Sequence, residues 1–368
     1  MKIPWPTKKI GEVVDFISGN QNINKEKAVL DGMYPAFSAA GQDIFLDTYE
    51  HEGSAIIVSW IGARCGKCFL ANGKWTAIAN TQILKIKDEK KCDYKYLFYF
   101  LNDETKWPRV GGAQPYISKN DAKRIEIPLP PIEIQKRIVA RIEELFEKID
   151  RAIELRKKAK EETEQIFQSA VQEVFSEAEK KWERKKLHDP NVAEVIMGQS
   201  PPSNTYNKDG RGLLFYQGKI DFGEIYLNPS RKWCSKPIKI ALKGDILISV
   251  RAPVGPTNIC TEKICIGRGL AAVRPKQELN NFYLLYWFRY KEPEIIGQGT
   301  TFGAIKRNYL ERLEIPLPPI SEQKKIVSYL NNLREKVDKL KRVQEEQLKE
   351  LEELKKSILE KAFSGELI

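Results

Sequence analysis

Arg124-Ile-Glu-Ile-Pro-Leu-Pro-Pro-Ile-Glu-Ile-Gln-Lys-Arg-Ile-Val139 returns as Arg312-Leu-Glu-Ile-Pro-Leu-Pro-Pro-Ile-Ser-Glu-Gln-Lys-Lys-Ile-Val327, with twelve of sixteen positions identical at an offset of 188. A repeat of this kind signals one structural unit built twice. The offset still holds downstream, where Ser169, Phe175 and Ser176 match Ser357, Phe363 and Ser364, so the segments that follow the two copies are equally long. Upstream it drifts. Ile117 and Asn120 match Ile305 and Asn308 at 188, whereas Trp5 and Lys8-Lys9 match Trp182 and Lys185-Lys186 at 177. The connecting parts are shared between copies, and what lies between them has diverged.

Pro130-Pro131 and Pro318-Pro319 oppose helix before them and suit a first helical turn, which predicts helices starting near Ile132 and Ile320. In the second, Ile326, Leu330, Leu333, Val337, Leu340, Leu351, Leu354 and Ile358 fall at spacings that alternate four and three, a heptad seam. Its counterpart runs Ile138, Ile142, Leu145, Ile149, Ala152, Thr163, Ile166 and Ala170. Helices of about 45 residues span roughly 65–70 Å and must find a partner for their apolar faces. Connectivity makes the pair antiparallel, since the first helix carries the chain from one lobe to the next and the second starts there and returns. Both seams are interrupted near mid-helix, by Arg156 and Ala159 and by Gln344 and Gln347, and antiparallel packing predicts a buried polar layer there that fixes register.

The expected fold class is α+β: two mixed, strand-rich lobes separated by two long antiparallel coiled-coil helices and related by a pseudo-twofold internal repeat. The expected boundaries are 1–128 and 181–315 for the lobes, and 129–180 and 316–368 for the helices. Ala55-Ile-Ile-Val-Ser-Trp60, Ile83-Leu-Lys-Ile86 and Asp245-Ile-Leu-Ile-Ser-Val250 read as strands between Gly, Asn and Pro punctuation. Tyr94–Leu101 and Asn281–Phe288 read as a buried helix near the end of each lobe, with a strand as the alternative.

The 368 residues carry 61 Lys and Arg against 50 Asp and Glu, a net charge of +11 that favours a polyanionic partner such as nucleic acid. Residues 132–186 hold fourteen basic and thirteen acidic side chains and 320–368 hold eleven and ten, so nearly all of the surplus lies in the lobes. No apolar run reaches the roughly 18 residues of a membrane span, and the start lacks a signal-peptide pattern, so a cytoplasmic protein with no membrane partner is expected. Six cysteines then need no disulfides, and two histidines leave little for acid–base or metal chemistry.

Two unlike basic lobes held by a strut suit double-stranded DNA read at two separated half-sites, with the helices setting the gap. At this point the sequence resembles the specificity subunit of type I restriction-modification systems. The resemblance rests on the duplicated Ile-Pro-Leu-Pro-Pro-Ile-x-x-Gln-Lys-x-Ile-Val segments (127–139 and 315–327), on Met197-Gly-Gln-Ser-Pro-Pro-Ser203 with Phe215-Tyr-Gln-Gly218, and on Ile248-Ser-Val-Arg-Ala-Pro-Val-Gly255. It implies two target-recognition domains, no catalysis in this chain, no cofactor, two methyltransferase subunits docked around the helices, and restriction subunits that join the complex in some systems. The first lobe departs from the pattern, because Ile17-Ser-Gly-Asn-Gln-Asn22 lacks the Pro-Pro-Ser signature.

Enzyme motifs are missing. Asn228-Pro-Ser-Arg231 and Asp189-Pro-Asn-Val192 lack the second proline and the aromatic residue of an adenine methyltransferase loop, and the Gly-x-Gly pairs lack the remainder of a cofactor fingerprint. Cys65-Gly-Lys-Cys68 with Cys260 and Cys265 reads as core cysteines rather than zinc ligands, since the second pair has the wrong spacing and lies in the other lobe. Candidate DNA contacts are cationic, amide or hydroxyl side chains in Gly- and Pro-rich loops: Arg64, Lys67, Gln114, Tyr116 and Lys119 in the first lobe, and Gln199, Ser200, Tyr206, Lys208, Gln217, Lys219, Arg251, Thr300, Lys306 and Arg307 in the second. Arg251 stands out because it follows an apolar strand and precedes Pro253 and Gly255. Phe146, Ile153 and Phe167 are large, apolar and off the seam, and are expected to form an exposed stripe that docks methyltransferase helices. The competing reading is a non-catalytic coiled-coil scaffold whose lobes bind proteins.

Overall fold

The structure is a computed structural model that describes residues 5–29 and 32–367, apart from the side chains of 298–302. It divides into two compact units, Met1–Arg156 with Glu346–Ile368 and Lys157–Glu345, so each lobe shares its core with the helix halves nearest to it.

In the first unit, strands Val14–Ser18, Thr81–Ile86, Ala55–Ser59 and Cys68–Ala71 form an antiparallel sheet in that order. Ile56, Val58 and Leu84 face a cluster that contains the long helices, whereas Ala55, Ile57 and Ile83 face Trp75 and Phe37 of a second sheet. Burial on both faces explains why the strand is a continuous apolar run rather than an alternating one. The second unit repeats the plan with Ala193–Met197, Leu270–Pro275, Ile246–Ser249 and Thr257–Ile259 in the same order, and with Ile246 and Ile248 on one face and Leu247 on the other. Each second sheet contains one parallel pair, Tyr34–Ser38 with Lys74–Ala77 and Leu213–Tyr216 with Ile264–Ile266.

The lobe-end segments are helices. Tyr94–Leu101 matches the sequence reading in length, whereas its counterpart runs from Asn281 to Phe302 through Pro293, longer than the aromatic run indicates. Ile295 is buried in the second-lobe core and Gly255 packs closely on Ile296, so tertiary contact carries this helix past its proline.

The duplicated motif is a clamp. Gln135, fully buried in the first helical turn, donates to the Lys91 and Pro130 carbonyls at 2.8 Å each and accepts from the Asp93 amide at 2.9 Å. Gln323 does the same with the Glu278 and Pro318 carbonyls and the Asn280 amide, all at 2.8 Å. Beside each glutamine a buried tyrosine hydroxyl donates at 2.9 Å to a proline carbonyl of the motif, Tyr96 to Pro128 and Tyr283 to Pro316. The Glu-Ile-Pro strand of each copy pairs with a Lys-rich strand upstream, Lys9 opposite Glu126 and Lys186 opposite Glu314. That pairing is why Lys8-Lys9 reappears at Lys185-Lys186, although the intervening lobes differ in length.

The long helices begin at Ile132 and Ile320, where the proline pairs place them, and run to Lys181 and Ser364. Within each unit they are antiparallel. Lys355 meets Asp150 in the first unit, and Glu164 meets both Arg334 and Lys341 in the second. Three of the eight expected seam residues, Leu330, Val337 and Ile358, are buried and Ile326, Leu333 and Leu351 are half-buried, but Leu340 and Leu354 are 50% and 47% exposed. Their column is taken by Val327, Arg334, Lys341, Leu348, Lys355 and Ala362. Aliphatic stems of cations cover the seam while their heads reach carboxylates on the facing helix. In the first helix the buried positions move from Ile138, Ile142 and Ile149 to Ile153, Phe167, Val171 and Phe175, which leaves Ile166 at 54% exposure. A straight α-helix drifts by about 20° per heptad, so a strict seven-residue reading loses the face after a few turns.

That drift also overturns the docking stripe. Ile153 and Phe167 are only 7% and 3% exposed, because the buried face has rotated onto them. Phe146 packs on Tyr99 under the Lys355 ammonium, and Phe167 packs on Tyr286 under the Arg334 guanidinium. These side chains hold the lobes to the helices and offer no exposed stripe to a partner. The polar layer is present in part: Gln344 is buried and donates to the Thr163 hydroxyl at 3.1 Å, and Thr163 in turn donates to the Ala159 carbonyl at 2.7 Å, whereas Arg156 is exposed.

Candidate nucleic-acid interface

The loops at the strand ends of the second lobe are tied by backbone hydrogen bonds into one cluster. The Gly198 amide donates to Leu270 O (2.9 Å), Gln199 to Ile266 O (3.1 Å), Gly267 to Tyr216 O (2.8 Å) and Val250 to Gly269 O (2.9 Å). The Arg268 amide donates to the Ser200 hydroxyl at 3.1 Å. The segments touch so closely that a Cβ on Gly198 would lie 2.1 Å from the Gly267 carbonyl oxygen, and one on Gly269 would lie 2.3 Å from that of Gln217. Only glycine permits this approach.

The first lobe is closed by the same bonds. The Gly19 amide donates to Thr81 O (3.0 Å), Asn20 to Ala77 O (2.8 Å), Ile78 to Phe37 O (2.9 Å) and Trp60 to Asn80 O (2.9 Å). The next loop is also shared: Ile117 donates to Trp60 O as Ile305 does to Val250 O, and bridge pairs join Ile61 to Tyr116 and Arg251 to Ala304. The lobes are one backbone frame carrying different side chains.

The sequence-derived candidates fall unevenly on this frame. In the first lobe the 61–67 loop meets the 109–117 loop, with the Gly62 amide on Pro115 O at 2.8 Å, which brings the segments bearing Arg64, Gln114 and Tyr116 together. Arg64 is exposed but pinned, its guanidinium donating to Ala40 O at 2.7 Å. Lys67 is half-buried, Gln114 and Tyr116 are exposed, and the Lys119 ammonium donates to Phe16 O at 3.2 Å. In the second lobe Gln199, Gln217 and Arg251 are exposed and adjoin the tied cluster, and Val250 before Arg251 is buried, so the strand end does present that arginine. Ser200 is spent on Arg268. Lys208, Lys219 and Lys306 stand exposed on separate turns, and Arg307 is paired with Glu311 within its own short helix. The side chain of Thr300 lies outside the described residues.

Tyr206 is half-buried and packed against its own lobe. Its ring stacks on Phe215 at 4.7 Å under the Lys232 ammonium, its hydroxyl donates to Pro201 O at 2.7 Å, and burial pushes its phenol above the ordinary value. The cysteines are core residues: Cys65 is hydrogen-bonded to Trp60 O, and burial pushes the Cys92 and Cys260 thiols up to about 12. Among the described residues no helix is long and apolar enough to cross a membrane.

A family model described as the type I restriction modification DNA specificity domain matches residues 2–165 and again 179–350, one match for each half. The chain belongs to this family. Among curated specificity subunits, the putative MjaX subunit of Methanocaldococcus jannaschii is 40% identical over 69% of this chain and 62% of its own length. The MjaVIII subunit of the same organism is 26% identical over all of this chain and 94% of its own. A solved chain from work on complex assembly and conformational transition of the type I R-M system superposes with a TM-score of 0.81 at 34% identity, each chain fully covered. The HsdS subunit from Thermoanaerobacter tengcongensis gives 0.60, also at 34%, over all of this chain and 98% of that one.

For a type I specificity subunit, sequence reading missed one residue of the cluster. Arg268 is exposed at its centre, and the available signal was a cation between two glycines, Gly267-Arg268-Gly269.

Proposed function

We propose that this chain reads a bipartite, asymmetric DNA target as the non-catalytic subunit of a cytoplasmic type I restriction-modification complex. Each lobe reads one half-site, two methyltransferase subunits assemble on the chain, and restriction subunits join where the system has them. The observation that carries the reading is the shared loop frame with unlike side chains, since a duplicated reader with two vocabularies has two different half-sites as its output. Loop cations and amides supply the contacts: arginine and glutamine suit base edges, and the half-buried Lys67 and the exposed Lys119, Lys208, Lys219 and Lys306 suit phosphates.

The complex assembled with its methyltransferase subunits should enrich a split, non-palindromic motif from a random duplex pool. Enrichment of a single continuous site, or of none, would count against the reading. Inserting one heptad into both helices adds ~10.5 Å, about three base pairs at roughly 3.4 Å each, and the gap in the enriched motif should widen accordingly. An unchanged gap at full affinity would show that the helices do not set it.

A further inference from the structure

We infer that Arg268, with Gln199, Gln217 and Arg251 beside it, is the specificity-determining centre of the second lobe, and that the equivalent positions of the first lobe are silent. The inference rests on the DNA-reading function proposed above.

The shared frame makes the comparison position by position. Gln199, Gln217, Arg251 and Arg268 occupy the places held in the first lobe by Asn20, Ser38, Ile61 and Ala79. In the second lobe all of them are exposed, and none makes a side-chain hydrogen bond or ion pair among the described residues. In the first lobe the same places offer nothing. The Asn20 amide is spent on Glu50 and its oxygen accepts from the Asn22 amide at 2.8 Å, Ser38 is 2% exposed and accepts from the Ala40 amide at 3.0 Å, and the side chains of Ile61 and Ala79 carry no polar atom.

Arg268, like Arg251 with its bridge to Ala304, has a backbone held by other segments. Its own amide is bonded to Ser200, the preceding amide to Tyr216 O and the following carbonyl to the Val250 amide. A fixed root with a free side chain is what base reading requires, because a fork placed within a fraction of an ångström discriminates and a wandering one does not. Lys208 and Lys219 lack such a root and serve as phosphate contacts. The chemistry of the cluster also narrows the bases. Guanidinium forks match guanine O6 and N7, side-chain amides match adenine N6 and N7, and no carboxylate stands among these residues to accept from cytosine N4. The strand read by the second lobe is therefore purine-rich and includes guanine opposite Arg268. The first lobe reads from outside these positions, through residues 62–67 and its 109–119 loop.

The test compares Arg268→Ala, Arg268→Lys and Asn20→Ala in the complex with its methyltransferase subunits, using single-molecule sequencing of methylated host DNA and duplex binding across a salt series. Arg268→Ala should lose preference for a guanine at one or two adjacent positions of one half-site, leave the other half-site intact, and weaken cognate binding about 10-fold to 100-fold. Arg268→Lys should fail to restore the preference, and Asn20→Ala should leave both half-sites as they are. An intact motif with only a salt slope lower by about one would make Arg268 a phosphate anchor and overturn the inference. Loss of a half-site in Asn20→Ala would overturn the silence of the first lobe's positions. A wild-type complex that marks no two-part motif would instead refute the DNA-reading function itself.

Discussion

The root of each lobe and its tip obey opposite rules. At the root, Gln135 and Gln323 make the same three bonds, Tyr96 and Tyr283 donate to equivalent prolines, and the sequence is nearly the same in both copies. At the tip the backbone bonds are equally alike, yet the side chains that they present share almost nothing. The root uses its polar side chains internally, whereas the tip of the second lobe leaves Gln199, Gln217, Arg251 and Arg268 without side-chain partners among the described residues. Polar groups buried without partners are costly, so the root does not tolerate substitutions that the exposed tip accepts without loss of stability.

The largest expected effect comes from breaking the root. Gln323→Leu strands two carbonyls and one amide in a buried site and should cost about 3 kcal/mol by denaturant unfolding, with Gln135→Leu similar; a loss below about 1 kcal/mol would mean that the clamp is not a folding element. Tyr283→Phe and Tyr96→Phe each remove one buried hydrogen bond and should cost about 1 kcal/mol, and equal costs would confirm that the two roots are energetically interchangeable. Gln344→Leu should move the other way, gaining up to about 1 kcal/mol, because Thr163 keeps its bond to Ala159 and one orphaned amide oxygen is removed. At the tip, Arg268→Ala should leave stability within about 0.5 kcal/mol, as for an exposed side chain with no partner among the described residues.

The helix pairing within the second unit adds a pH-dependent contrast. Burial works to raise the Glu164 carboxyl, but hydrogen bonds and charge from Lys341 and Arg334 outweigh it and hold the group below its ordinary value of 4.5. A carboxylate depressed in the folded state contributes stability that is complete above its unfolded pKa and fades as pH falls through the folded value. Wild type should therefore lose stability on acidification below about pH 4.5 more steeply than Glu164→Gln, and parallel curves would show that the pairs contribute nothing.

Much of the architecture was legible. The proline pairs gave both helix starts, the offset of 177 marked Lys8-Lys9 and Lys185-Lys186 as shared although their pairing with the Glu-Ile-Pro strands was not legible, and the buried run at Ile246 was read as a strand. The seam was only half legible. Leu340 and Leu354 look like core residues by composition, and Arg334, Lys341 and Lys355 look like surface, until ion pairing across the helices and the length of cationic stems are counted. The stripe of Phe146, Ile153 and Phe167 failed for a related reason, since a small mismatch between 3.5 and 3.6 residues per turn accumulates over a helix of 50 residues. Loop residues were found by type, but the stacking of Tyr206 on Phe215 was not legible and Arg268 was overlooked, because contacts between distant segments decide which loops converge.

The crowding at Gly198 and Gly269 has a consequence for how such a lobe can change. Those two glycines leave no space for a side chain, while the arginine just before the second of them projects from an exposed surface. A single codon change at 268 would thus alter the chemistry offered to a base without disturbing the scaffold that aims it. The lobe is constructed so that new preferences can be tried one letter at a time.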